Sequence, residues 1–238
     1  MARMCYPTQT IVEDYLQKIF PKLSKGCLNP SVSILGIISE HHTSPGILGT
    51  LTDTVPSITG VDIPIMVEDV NTTKGVVAII AQDPLRNSSD PMLQPFGPQF
   101  PNPLVGTPFA YHYDPSIAPQ TIVYRLVING LLKKGYRVYV TDVWKCWDQY
   151  KNTRMGRWCN TNPHKQCIID ELNLVQPDCI LLMGKEAKNK FKSIAPGLTK
   201  IINPVSVPHP SKANIQSWLK NGIGADPKPR AGYIVSFL

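Results

Sequence analysis

The feature that most limits how this chain can fold is the run Val76-Val77-Ala78-Ile79-Ile80, which leads into Ala81-Gln82-Asp83-Pro84-Leu85-Arg86. A short run that is β-branched and unbroken by polar residues predicts a strand buried on both faces of a parallel sheet. Pro84 fixes its own φ and biases Asp83 away from the helical region, so an acid is expected on a bend at the strand's carboxyl end. Open α/β sheets place their ligands at that edge. The plainer alternative is that Asp83 only caps a turn.

The remaining elements alternate around this strand. Thr10 and Glu13 form a capping box, and Ile11, Val12, Tyr15, Leu16 and Ile19 recur at helical spacing until Pro21. Residues 22–74 carry little signal beyond an apolar patch at Val32–Ile38 and the pair His41-His42, and prolines from Pro91 to Pro119 predict a long irregular loop. That loop holds Phe109, Tyr111, His112 and Tyr113, and it either folds over a pocket or packs its aromatics into a satellite core. A helix is predicted over 120–134 with Ile122, Val123, Leu126, Val127 and Leu131 on one face and Gly135 as its C-cap. Then come a strand at 136–140 running into Thr141-Asp142, a helix opened by Pro163 and stopped by Pro177, and a strand at Cys179–Met183. After Gly184 a short helix ends near Phe191, Lys200–Ile202 reads as a fourth strand, and Ser211 caps a last helix with Ile215, Trp218 and Leu219.

This alternation predicts an α/β chain: a three-layer α/β/α sandwich with a central four-stranded, mainly parallel sheet. A single domain spanning residues 1–238 is expected, with its first 74 residues poorly assigned. Asp83, Asp142 and His209 each follow the carboxyl end of a different strand, as the side chains of an active site would.

A formal charge of +7 favours polyanionic partners, of which nucleic acid is the commonest, although a solvated basic surface would look the same. The six cysteines form no Cys-x-x-Cys pair and fit a reducing, cytoplasmic setting. No apolar segment approaches bilayer length, so no membrane partner is expected.

Four segments, in order, resemble the uracil-DNA glycosylase superfamily: Gln82-Asp83-Pro84, Tyr139-Val140-Thr141-Asp142-Val143-Trp144-Lys145-Cys146, Pro177 to Ala187, and His209-Pro210-Ser211. The first looks like the G-Q-D-P-Y-H loop of the best-known branch, and the middle two look like segments of the iron-sulfur branch. The resemblance covers roughly Val76 to Leu219 and implies removal of uracil or a related damaged or deaminated base from DNA by hydrolysis of the N-glycosidic bond. It assigns Asp83 to steady the developing sugar cation and orient water, and His209 to donate to the departing base. Phe109 is then the stacking aromatic, Gln82 a backbone contact, and Leu85 and Asp142 further base-binding residues. Arg86, Lys145, Ser211 and Lys212 are the expected DNA contacts.

The chain also departs from that pattern. Asp142 stands where the family reads uracil with asparagine, and a carboxylate accepts from N3–H but repels O4. Either Asp142 is protonated, or the base has a donor at that position, or the main chain does the reading. Leu85 replaces a tyrosine, Arg86 a histidine, and Ala213 the wedge leucine. The iron-sulfur branch implies a cluster, yet only Cys146 and Cys167 lie near ligand positions; zinc on Cys146, Cys159, His164 and Cys167 is the other metal option. Neither set has the required spacing, so no cofactor and no metal are expected. Trp144, Lys145, Trp147, Tyr150, Lys151, Arg154, Arg157 and Trp158 interleave planar and cationic groups as single-strand binders do. The expected protein is a monomer acting on single- or double-stranded DNA; the alternatives are an inactive nucleic-acid-binding relative and a hydrolase of small nucleotides or nucleosides.

Overall fold

The structure is a computed structural model, and it describes residues 31–32, 60–62, 64–68, 72–82, 94–97, 100–106, 120–144, 146–147, 162–211 and 214–238. The expected helix at 10–21, His41-His42 and the aromatic segment 107–119 lie outside the described residues. In chain order the elements are β1 (Ser31–Val32), β2 (Gly60–Asp62), β3 (Ile65–Glu68), β4 (Val76–Ala81), β5 (Gln94–Gly97), β6 (Phe100–Gly106), α1 (Gln120–Lys133), β7 (Arg137–Asp142) and β8 (Cys146–Trp147). They continue with α2 (Asn162–Val175), β9 (Cys179–Met183), α3 (Lys185–Ile194), β10 (Val205–Val207), α4 (Ile215–Lys220) and α5 (Pro227–Val235).

The organising run is strand β4, buried at all six positions and paired in parallel with β7 on one side and β9 on the other. Fully burying a Val or Ile side chain is worth about 1.5–3 kcal/mol, so this run commits the middle of the sheet. The main sheet has the order β1-β3-β7-β4-β9-β10. The four adjacent strands β7-β4-β9-β10 are parallel, as expected, while β3 and β1 add an antiparallel edge, giving six strands where four were predicted.

The faces follow from handedness. The connection from β4 to β7 moves one way along the sheet, whereas those from β7 to β9 and from β9 to β10 move the other way. Right-handed crossovers must then put α1 on one face and α2 and α3 on the opposite face. Alternating residues confirm it. Val77, Ile79, Val138, Val140 and Leu181 share a core with α1, Trp218 of α4 and Ile234 of α5. Ala78, Ile80, Tyr139, Ile180 and Leu182 share one with Ile168, Leu172 and Phe191 of α2 and α3.

Several expectations need correction. The fourth parallel strand is Val205–Val207 and not Lys200–Ile202, because pairing with Leu181–Met183 begins only at Val205; Ile201 is 96% exposed. On α1, Val123, Val127 and Leu131 are buried as predicted, but Ile122 and Leu126 are half-buried, and Thr121, Tyr124 and Arg125 take the inner positions. Gly135 does end α1, at φ +89°, where a side chain would be strained. Asn214, not Ser211, is the N-cap of α4, and Leu219 is 51% exposed. Helix α5 was not anticipated, although Asp226 caps it by accepting the Lys228 N–H at 2.9 Å and Pro227 sits in its first turn.

The proline-rich stretch is not wholly irregular. β5 and β6 join β2 and β8 in a second, four-stranded sheet of order β5-β6-β2-β8. β6 tolerates Pro101 and Pro103 because its pairing with β2 runs only over Leu104–Gly106 and its pairing with β5 is interrupted by a register shift between Leu104 and Phe100, where both prolines fall. β2 ends just before β3, whose Ile65 lies opposite Val140 near the carboxyl end of β7, and β8 begins just after β7. Both links bring this small sheet to the carboxyl edge of the main one.

Candidate active site

The strand order predicts where a ligand fits. In chain order the parallel strands run second-first-third-fourth across the sheet, so successive crossovers leave for opposite faces on either side of β4 and β9. A crevice opens at the carboxyl ends of the two strands flanking such a switch point. Here those ends are Ala81-Gln82 and Met183-Gly184.

Gln82 is half-buried on the bend after β4, and its carbonyl accepts the Trp144 N–H at 3.2 Å, while Ala81 accepts from Val143 at 3.0 Å. The two loops therefore stay zipped beyond the ends of β4 and β7. Asp142 closes β7 opposite Ala81 and is only 2% exposed. By strand alternation from Val138 and Val140 it belongs to the α1 face. Thr141 points the other way and donates to Glu171 of α2 at 2.9 Å, which anchors the strand end.

His209 follows β10 and is held at several points. Its Nδ1 accepts the Ser211 N–H at 3.2 Å, and its Nε2 lies 3.0 Å from the Tyr124 hydroxyl of α1. A ring nitrogen that accepts carries no proton, so these bonds assign the neutral tautomer with the proton on Nε2. Burial pushes the imidazole below its ordinary value, which keeps that neutral form at physiological pH. The His209 carbonyl accepts the Trp218 indole N–H at 3.0 Å. Gly184, at φ +95°, packs so closely that a Cβ there would stand 2.9 Å from that of His209.

Two further residues complete the support of the histidine loop. Arg230 of α5, 4% exposed, donates to the Pro210 carbonyl at 3.1 Å and to that of Gly224 at 2.9 Å, with its guanidinium 5.5 Å from the Trp218 ring centre. The Ser211 side chain accepts from Asn214 at 2.9 Å. Ser211 thus braces the loop through both its N–H and its hydroxyl.

The structure brings Gln82, Asp142, His209 and Ser211 to one edge. Asp83, Leu85, Arg86, Phe109, Lys145 and Lys212 lie outside the described residues, as does Ala213. Reading the sequence missed Tyr124, Trp218 as a partner of His209, and Arg230. For Tyr124 a signal existed: Thr121, Tyr124, Arg125 and Ile128 recur at helical spacing, so a polar patch interrupts the inner face of α1. Of the cysteines, Cys179 is a half-buried free thiol, raised above its ordinary value mainly by burial, and it lies at the opposite end of β9. Among the described residues no group of three or more His, Cys, Asp or Glu side chains could hold a metal ion, and no helix is long and apolar enough to cross a membrane.

An α/β/α sandwich with a partly buried histidine fixed at the carboxyl edge of its parallel strands has its polar side chains where proteins of this class place their ligands. Residues 69–224 match the uracil DNA glycosylase superfamily, and the chain belongs to it. Its general function is accordingly DNA glycosylase-like. Comparison with the curated proteins gave no match, and neither did comparison with the solved structures.

Proposed function

We propose that this chain is a monomeric DNA glycosylase that hydrolyses the N-glycosidic bond of uracil or a related damaged or deaminated base. The observation that carries the reading is the hydrogen bond from the Ser211 N–H to Nδ1 of the partly buried His209 at 3.2 Å, which leaves the proton of a neutral imidazole on Nε2, a donor for the oxygen of a departing base. Such a donor is worth about 3 kcal/mol in a water-poor site. Asp83, covalently joined to Gln82 at the switch point, supplies the carboxylate that steadies the sugar cation and orients water. Phe109 stacks on the extruded base, and Gln82, Leu85 and Asp142 read it. Arg86, Lys145, Ser211 and Lys212 contact the DNA.

Charge placement supports a nucleic-acid substrate. Helices in β-α-β units run antiparallel to their strands, so the first turns of α2 and α3 lie at the carboxyl edge. That of α2 carries exposed Lys165 with no acidic residue, and that of α3 carries exposed Lys185 and Lys188 against a single acid, Glu186. Cations at a helix N-terminus oppose the macrodipole, so these lysines are better explained by a polyanionic partner than by helix stability.

The test is release of free base from a panel of oligonucleotides, single- and double-stranded, bearing uracil, oxidised or 5-substituted pyrimidines, or cytosine. Abasic product from at least one, reduced by about 10²-fold or more in Asp83→Asn, is the expected result. Salt-sensitive binding with no abasic product from any oligonucleotide would instead identify an inactive nucleic-acid-binding relative. Turnover of free nucleotides alone would identify a small-molecule hydrolase.

A further inference from the structure

We infer that Tyr124 is the positioning residue of His209: its hydroxyl accepts the Nε2–H in the free protein and so fixes the plane of the imidazole, and a departing base shares or displaces that hydroxyl to take the same N–H. This rests on the reading of His209 as the donor to that base.

Three observations carry it. His209 sits beyond the end of β10 on a loop, and the terminal torsion of a histidine ring is soft, so the loop alone does not orient the imidazole. The Ser211 N–H holds one nitrogen, and a second contact at the other is needed to fix the plane of the ring. Tyr124 supplies that contact at 3.0 Å, with its ring edge-on to the imidazole at 6.0 Å and 73°.

Tyr124 is also a rigid support. It lies in the second turn of a 14-residue helix, is 3% exposed, and packs in the same core as Val207 at the end of β10. Its phenol oxygen cannot follow a wandering imidazole, so it selects one orientation. A donor must stand about 2.7–3.1 Å from the oxygen it stabilises, and a displacement near 1 Å can cost about 10²-fold in rate. A phenol oxygen also leaves a neutral environment around the ring, unlike a carboxylate, which would favour the imidazolium.

Tyr124→Phe keeps the ring and removes the hydroxyl; Ile128→Val, one turn further along the same buried face, is the packing control. Two measurements on the full chain test the inference. The first is solvent exchange of the His209 Nε2 proton by NMR. The second is kcat and KM on whichever oligonucleotide of the panel is cleaved best. In Tyr124→Phe the proton is expected to exchange at least about tenfold faster, and kcat to fall at least about tenfold with KM changed less than about threefold. Ile128→Val is expected to alter neither. Unchanged exchange and kcat in Tyr124→Phe would overturn the inference, as would equal losses in Ile128→Val. If the wild type cleaves no oligonucleotide while Tyr124→Phe still speeds exchange, the glycosylase reading fails and the hold of Tyr124 on His209 stands.

Discussion

The guanidinium of Arg230, in the last helix, donates to the carbonyl of Pro210, the residue directly after His209, at 3.1 Å. Twenty residues separate them in sequence, and the contact ties the carboxyl-terminal helix to the histidine loop. Arg230→Met removes this bond and the one to Gly224, leaving two carbonyls without their donor. Stability should fall by about 1–3 kcal/mol, read by urea unfolding, and Arg230→Lys should recover part of it. No loss in Arg230→Met would show that water replaces the arginine without penalty.

Gly184 controls the same loop from the other side. At φ +95° an alanine would be strained, and its Cβ would stand 2.9 Å from that of His209. Gly184→Ala should cost about 1–3 kcal/mol in thermal or chemical unfolding. It should also depress base release by moving the imidazole. Wild-type stability together with wild-type kcat in this variant would refute the described packing.

On the proposed function, Asp142 is the residue to exchange for base choice. It is 2% exposed at the end of β7 and cannot donate when ionised, whereas an asparagine there can both donate and accept. Asp142→Asn should therefore raise the ratio of uracil to cytosine release, measured on matched oligonucleotides. An unaltered ratio would take base reading away from this position.

The pH dependence has a definite sign. His209 is held below its ordinary value of 6.5 by burial, so the unfolded chain takes up the proton first as pH falls. Its contribution to stability is complete above pH 6.5 and is lost on acidification through the lower folded value. His209→Gln should thus lose less stability than wild type between about pH 7 and pH 5. Asp178, lowered chiefly by its hydrogen bond from Lys200 at 2.7 Å, acts in a separate window below its ordinary 3.8. Parallel stability curves for wild type and His209→Gln would contradict the buried neutral imidazole.

Much of this fold was legible because the decisive signals are local. An unbroken, largely β-branched run at Val76–Ile80, a second unbroken apolar run at Cys179–Met183, and helices stopped by Gly135 and Pro177 determine a covered parallel sheet, and with it the edge at which Asp142 and His209 emerge. Only the tertiary structure decided what surrounds His209. The Tyr124 hydroxyl and the Trp218 indole reach it, and the Arg230 guanidinium reaches the next residue, Pro210, from three helices, and no periodicity along the chain encodes which side chains converge in space. The same reason explains β10, β1, β3 and the small sheet: a strand that is short or carries proline is defined by its partner's register, and the partner lies far away in sequence.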